Sequence, residues 1–101
     1  MKDKNILVGK CVIVRSHLAG VYIGKLEKIN GTEIILSHAR KCWYWKGAAA
    51  VNQLAKDGVK CTAECKFTVC NEIVQIAEYI EILNCTTEAE KSIYAVPVWT
   101  A

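Results

Sequence analysis

The pair Asn30-Gly31 constrains the fold of this 101-residue chain more than any other short sequence in it. It lies between two runs rich in β-branched residues, 21–29 and 32–39, and Asn-Gly is a preferred centre of a two-residue type I′ turn. The sequence therefore predicts an antiparallel hairpin here. Gly24, inside the first run, predicts a bulge or a close approach of another backbone segment.

Further strand-like runs extend this hairpin. Segments 10–15 and 40–45 favour strands on either side of it, and a last edge strand is expected at 98–100. Segment 72–83 fits either a strand or a helix, and its five Ile and Val residues favour the strand. We expect an α+β fold in which an antiparallel β-meander curls into an SH3-like half-barrel, with one central helix and a short C-terminal helix. The length predicts a single domain over residues 1–101.

The two helices are predicted from propensity and from end signals. Segment 48–57 is rich in good helix formers, and Gly58 suits the position just after a helix. Thr87 and Glu90 have the spacing of a capping box, so a short helix is expected over 88–93.

Charge and composition restrict the function. The net charge of +3 is mild, and eleven lysines but only two arginines supply the cations, which does not favour a strong duplex-DNA binder. The N-terminal apolar run is too short for a signal peptide or a membrane span, so we expect no membrane association and a cytoplasmic location. In a reducing compartment the six cysteines are expected to be free thiols.

The sequence predicts neither a metal site nor catalysis. Cys61, Cys65 and Cys70 lack the Cys-x2-Cys pairs of zinc ribbons, so no metal and no cofactor are expected. The Ser-His neighbours at 16–17 and 37–38 do not form nucleophile–base pairs by adjacency, because successive strand residues face opposite sides.

The aromatic run Trp43-Tyr44-Trp45 is the best candidate for binding. In a strand, Trp43 and Trp45 share one face, and an aromatic ring that stacks on a nucleobase contributes about 1–3 kcal/mol. Arg15 and Arg40 are the chain's two arginines, whose planar fork suits phosphate. Alternate strand ends of a meander share an edge, so we expect both arginines at one rim.

The start of the central helix adds further groups. Unpaired amides near Gly47 and Ala48 suit a phosphate, Asn52 and Gln53 can read a base or ribose edge, and Phe67 is a second stacking ring. The alternative is that these aromatic residues belong to the core or to a dimer interface. The predicted ligand-binding residues are Arg15, Arg40, Trp43, Trp45, Ala48, Asn52, Gln53 and Phe67.

The chain also resembles a family of small proteins of phages and prophages. The residues that carry this resemblance are Val14-Arg15-Ser16, Ala19-Gly20-Val21, Gly24, Ala39-Arg40, Trp43-Tyr44-Trp45, Gly47-Ala48, Gln53-Leu54-Ala55, Gly58, Cys65-Lys66-Phe67 and Val98-Trp99. Among small phage proteins, it is compared with the Thoeris anti-defence sponges, which bind cyclic ADP-ribose signals, and in some cases cyclic oligonucleotides, without cleaving them.

The resemblance implies a homo-oligomer in the cytoplasm of an infected bacterium, with nucleotide pockets near the subunit interface. Arg15 and Arg40 would then face phosphate, and Trp43, Trp45 or Phe67 would stack on a base. The chain departs from this pattern in having two arginines, which serve a highly charged cyclic trinucleotide poorly. One alternative is an SH3-like module that binds a protein partner or single-stranded nucleic acid. The other is an enzyme that degrades a nucleotide signal.

Overall fold

The protein is an α+β fold built on a mostly antiparallel six-stranded open sheet with two short helices. The computed structural model describes residues 5–46, 48–60 and 62–99. The strand order is β4-β3-β2-β1-β6, and β5 pairs with the first half of β3. The elements are β1 (Cys11–Ser16), β2 (Gly20–Asn30), β3 (Glu33–Tyr44), α1 (Val51–Asp57), β4 (Lys66–Phe67), β5 (Asn71–Ile76), β6 (Glu81–Asn84) and α2 (Thr87–Tyr94), with a 3₁₀ turn at Thr62–Glu64.

The predicted hairpin is confirmed, but its turn lies one residue later in the chain. Asn30 pairs with Glu33, so the two-residue loop begins at Gly31, whose φ is 62°. Thr32, at the second loop position, is not among the described residues with positive φ, so the turn is of type II′ rather than type I′. The position of the turn follows from the register of the hairpin. Leu26 lies opposite Leu36 and both are fully buried, and a slip by one residue would turn them out of the core.

The strand predictions need three corrections. Segment 40–45 is not a separate strand, because β3 continues from Glu33 to Tyr44 and bends at a bulge instead of ending. Segment 72–83 is extended but divided: β5 pairs with β3, and β6 pairs with β1 on the other side of the sheet. The chain must cross between these edges, and a bend separates the two strands. The edge strand at 98–100 is reduced to one bridge between Val98 and Phe67, and Thr100 lies outside the described residues.

Helix α1 begins at Val51, three residues later than predicted. Ala50 is extended and provides no side-chain cap, so the alanine run does not start the helix by itself. Its end is as predicted, since Gly58 has a φ of 75° and donates its N–H to the Leu54 carbonyl at 2.9 Å.

Helix α2 confirms the predicted C-terminal helix, but with a different cap. Thr86 rather than Thr87 precedes the helix, and its hydroxyl accepts the Ala89 N–H at 3.1 Å. The Thr86 hydroxyl also donates to the Lys56 carbonyl at 2.6 Å, which joins the start of α2 to the last turn of α1.

The sheet buries side chains on both faces. One face packs under both helices around Ile13, Ile23 and Phe67, and the other packs around Val12 and Val14, with contributions from strands and loops alone. Within the described ranges, no helix is long and apolar enough to cross a membrane.

Candidate functional site

The two arginines lie on the helix-facing side of the sheet but in different surroundings. Arg15 is exposed and forms an ion pair with Glu81 at 3.1 Å. Arg40 is only 2% exposed; its Nε donates to the Thr68 carbonyl at 2.6 Å and its Nη1 to the Ile93 carbonyl at 3.0 Å. Arg40 therefore joins β3 to the last turn of α2, and the structure does not bring the two guanidinium groups to one open rim.

Arg40 and Phe67 form a buried pair. The guanidinium carbon lies 5.6 Å from the centroid of the Phe67 ring, and Phe67 is fully buried. The ring therefore has no free face for a ligand in this conformation. Nη2 of Arg40 is buried without a hydrogen-bond partner among the described residues. Burial raises the pKa of the neighbouring Cys42 thiol to about 12, although the charge of Arg40 acts in the opposite direction.

The tryptophans of the aromatic run are separated. Trp43 is 55% exposed and stacks on Trp99, with ring centroids 5.0 Å apart and planes 8° apart. Trp45 is half-buried and packs against the core under the helices, as does Ala48. The expected alternation fails because the β3–β4 pairing shifts register between Cys42 and Tyr44.

A side chain of α1 already occupies a backbone amide just before this helix. Gln53 Oε1 accepts the Ala49 N–H at 2.7 Å, so the amide expected to bind a phosphate already has a partner. Asn52 is exposed on α1, while Gly47 lies outside the described residues. The predicted ligand-binding residues are therefore distributed over the molecule and do not line one hollow within a single chain.

A groove of about 640 Å³ lies elsewhere, between the bulge of β3 and helix α2. None of the predicted ligand-binding residues lines it. Its lining residues are Cys11, Lys25, Ser37, His38, Cys70, Thr87, Glu90, Lys91 and Tyr94.

The helix wall of the groove is one stripe of α2. Its members recur at intervals of three and four residues, so they share one side of the helix, while Ala89 and Ile93 pack into the core. They are Thr87, Glu90, Lys91 and Tyr94.

The sheet wall is a bulge between β2 and β3. Two residues of β3, His38 and Ala39, stand opposite the single Gly24 of β2. A Cβ at Gly24 would lie 3.1 Å from the Ser37 carbonyl oxygen, so this close approach suits glycine, as the sequence predicted. His38 has a φ of 50°, and a non-glycine residue in the left-handed region is strained by about 1–3 kcal/mol.

Tyr94 holds the strained residue in place. Its ring stacks on His38 with centroids 5.4 Å apart, and its hydroxyl donates to the His38 carbonyl at 2.6 Å. Burial, with the nearby Cys11, raises the pKa of the Tyr94 hydroxyl above its ordinary value. The phenol is therefore protonated at neutral pH and keeps this hydrogen bond.

A pair of cysteines lies beside the groove. Cys85 donates its backbone N–H to the Cys11 carbonyl at 3.0 Å, at the end of the β1–β6 pairing. A separate side-chain hydrogen bond between the two thiols, together with burial and Glu90, raises the pKa of the Cys11 thiol, and the same side-chain hydrogen bond lowers that of Cys85. Cys11 is therefore protonated, and so a poor nucleophile, at neutral pH.

The described cysteines do not belong to a cluster of metal ligands. Cys11, Cys42, Cys70 and Cys85 are free thiols, and Cys61 lies outside the described residues. In the part of the chain that the structure describes, no three His, Cys, Asp or Glu side chains lie close enough to hold a metal ion.

The groove combines cations with a ring and hydroxyl groups. Lys25 and Lys91 bring positive charge, Glu90 brings one carboxylate, and Ser37 and Thr87 bring hydroxyls. Such a set can bind an anionic group at the lysines and a flat group against the imidazole of His38.

One protein-family model matches most of the chain. Residues 9–93 match the family model described as "Domain of unknown function (DUF6948)". The chain belongs to this family. No match is found among curated proteins or solved structures. The DUF6948 match spans all six strands and the sheet wall of the groove, ends within the last turn of α2, and stops short of Trp99.

Sequence reasoning missed the groove for a specific reason. Gly24 signalled the bulge, but the position of His38 opposite it depends on the register of β2 and β3. The approach of Tyr94 to His38 joins residues 56 positions apart, and no local pattern encodes it.

Proposed function

We propose that this DUF6948 protein is a non-catalytic binding protein whose groove takes a small anionic ligand with a planar ring, in the class of nucleotide-derived signals. The observation that carries the proposal is the arrangement of Lys25 and Lys91 around the stacked pair of His38 and Tyr94. The lysines would meet phosphate charge, and the imidazole would contact the base or ribose.

The size and rigidity of the groove support this function. A volume of about 640 Å³ lies within the range of about 300–1,000 Å³ typical of small-molecule sites. The Tyr94 hydrogen bond and ring contact fix His38 before any ligand arrives, so little side-chain freedom is lost on binding.

Binding without turnover fits the chemistry of the lining. The Cys11 thiol is held protonated, and the Ser37 hydroxyl donates to the Glu27 carboxylate at 2.5 Å. With its proton directed to Glu27, Ser37 is not activated by His38. A bound ligand is therefore expected to be released intact.

The finer identity of the ligand rests on the resemblance to anti-defence sponges. On that basis the protein sequesters a cyclic ADP-ribose isomer or a cyclic oligonucleotide in the cytoplasm of an infected bacterium, as a homo-oligomer with an SH3-like half-barrel in each subunit. Because the groove offers two lysines and no arginine from the described residues, it favours the less charged cyclic ADP-ribose isomers over a cyclic trinucleotide.

Titration calorimetry against a panel of cyclic ADP-ribose isomers and cyclic oligonucleotides tests the proposal. We expect one of them to bind, and we expect the Lys25→Ala, Lys91→Ala double variant to weaken that binding by roughly tenfold or more, since two charge-assisted contacts are lost. Lys56→Ala, on the exposed face of α1, is the matched control and should bind like the wild type.

Recovery of the ligand distinguishes binding from degradation. The loaded protein is filtered and heat-denatured, and the released material is chromatographed. Intact ligand supports sequestration, and a changed product supports an enzyme. Absence of binding heat across the panel, or equal affinity in the double variant, contradicts the groove as the site.

A further inference from the structure

A second surface lies on the sheet face opposite the helices. Cys42 packs into the core under the helices, so its neighbours Lys41 and Trp43 project from the opposite face, and Tyr22 of β2 pairs with Lys41. The Lys41 ammonium lies 5.9 Å from the centroid of the Tyr22 ring. With Trp99 and Lys66 at its end, this surface alternates rings and cations. We call it the aromatic–lysine strip: Tyr22, Lys41, Trp43, Lys66 and Trp99.

The tryptophan pair of the strip is both exposed and fixed. Trp43 is 55% exposed and Trp99 42% exposed, although such rings are usually buried. The backbone N–H of Trp99 donates to the Phe67 carbonyl at 2.9 Å, which anchors the C-terminal segment on β4. The exposed rings are therefore held in a defined parallel stack.

Lys66 leaves the outer faces of the rings open. Its ammonium lies 5.3 Å from the Trp43 centroid and 5.7 Å from the Trp99 centroid. Because these distances are nearly equal and the centroids are 5.0 Å apart, the ammonium lies beside the pair and not over the outer face of either ring. A planar group can stack on an outer face while an attached anion reaches the ammonium.

We propose that the aromatic–lysine strip binds single-stranded nucleic acid, with bases stacked on the exposed tryptophans and phosphates at Lys41 and Lys66. Aromatic rings next to cations along a groove or face are the usual means of holding single strands without sequence preference.

The charges of the strip decide between possible occupants. Among the ion pairs formed within the described residues, none involves Lys41 or Lys66, so both ammonium groups are available to phosphates. A second copy docked through the same strip would bring like charges together across a twofold axis, which opposes self-association. The strip and the ligand groove lie on opposite sheet faces, so failure of one proposal leaves the other standing.

Fluorescence anisotropy of a fluorescein-labelled dT12 oligonucleotide, at low and moderate salt, tests the inference. We expect saturable binding that weakens as salt rises, and weaker binding of a duplex of the same length. Trp43→Ala should raise the Kd roughly tenfold, and Lys66→Glu should raise it and flatten the salt dependence. Trp43→Phe keeps a ring and should retain most of the affinity.

The controls change equivalent groups elsewhere. Lys56→Glu repeats the charge change on α1, and Ile73→Ala removes an exposed apolar side chain from β5, and both should bind like the wild type. Circular dichroism checks that each variant is folded. The inference is overturned if dT12 gives no anisotropy change, if duplex binds as tightly, or if folded Trp43→Ala and Lys66→Glu bind like the controls. Self-association that Trp43→Ala abolishes would assign the strip to a dimer interface instead.

Discussion

At the scale of single residues, Arg40 shows how one side chain connects distant parts of the fold. Its guanidinium reaches the Thr68 carbonyl after β4 and the Ile93 carbonyl at the end of α2. Arginine reaches the two acceptors from two different nitrogens, Nε and Nη1, whereas lysine carries all its donors on one atom. The positive group also lies favourably at the C-terminal end of a helix.

Arg40→Lys is therefore expected to act on stability. We expect a loss of about 1–3 kcal/mol in the free energy of unfolding, because at least one buried carbonyl loses its donor. Urea denaturation followed by circular dichroism measures it. Arg15→Lys, at an exposed ion pair, is the control and should change stability by less than about 1 kcal/mol. Unchanged stability of Arg40→Lys would contradict the structural role.

Cys42 gives the molecule a pH dependence in the alkaline range. Its pKa rises from an ordinary value of 9.0 to about 12 in the folded protein, so above pH 9 the unfolded chain releases this proton and the folded protein retains it. The contribution of the Cys42 thiol to the free energy of unfolding is therefore fully present below about pH 9 and is lost progressively as the pH rises to 12.

The Cys42→Ala variant isolates this contribution. The wild type should lose up to about 1.4 kcal/mol of stability per pH unit more than Cys42→Ala between pH 9 and 12. Denaturant unfolding at a series of pH values measures both slopes, and the difference is independent of the lower baseline stability expected for the smaller side chain. Parallel slopes would show that the Cys42 thiol is not protected.

At the scale of elements, Gly58 sets how closely the two helices approach. Its φ of 75° suits glycine, and a Cβ there would overlap Ser92 Oγ and lie 3.0 Å from the Ala89 Cα. The end of α1 and the face of α2 are thus in direct contact, because one side chain is missing at this position.

Gly58→Ala is expected to destabilise the protein by more than about 1 kcal/mol, from backbone strain and from the clash with α2. Thermal unfolding measures the effect. Adding Ser92→Ala should recover part of the loss, since it removes the nearest clashing atom but leaves the strain. If the effects of Gly58→Ala and Ser92→Ala on the free energy of unfolding simply add in the double variant, the two helices do not meet as described.

Elements governed by neighbouring residues could be predicted, and those governed by distant contacts could not. The hairpin, the bulge at Gly24 and the helix end at Gly58 follow from local backbone preferences. The division of segment 72–83 depends on which edge of the sheet each half meets, and the pattern of apolar residues is the same either way. Thr86 rather than Thr87 caps α2, because the Thr86 hydroxyl also donates to the Lys56 carbonyl of α1.

At the scale of the whole molecule, the same limit explains the candidate site. The aromatic rings and arginines were predicted to share one binding site because of their residue types. Residue type does not distinguish a buried guanidinium from an exposed one. Arg40 and Phe67 are buried in the core, whereas Trp43 is exposed and stacks on Trp99. The groove forms where the sheet and α2 meet, and the residues among its lining that the sequence analysis singled out, such as Ser37, His38 and Thr87, were considered there for other roles.

The two walls of the groove come from parts of the chain that are far apart in sequence. Lys25 and His38 belong to a hairpin of neighbouring segments, whereas Tyr94 lies on the helix that follows β6, and β6 pairs with β1 across about seventy residues. The pairing of the hairpin strands therefore does not depend on the helix wall of the groove being in place. On the proposed function, a bound ligand would contact both walls and would therefore stabilise the docking of α2 against the hairpin.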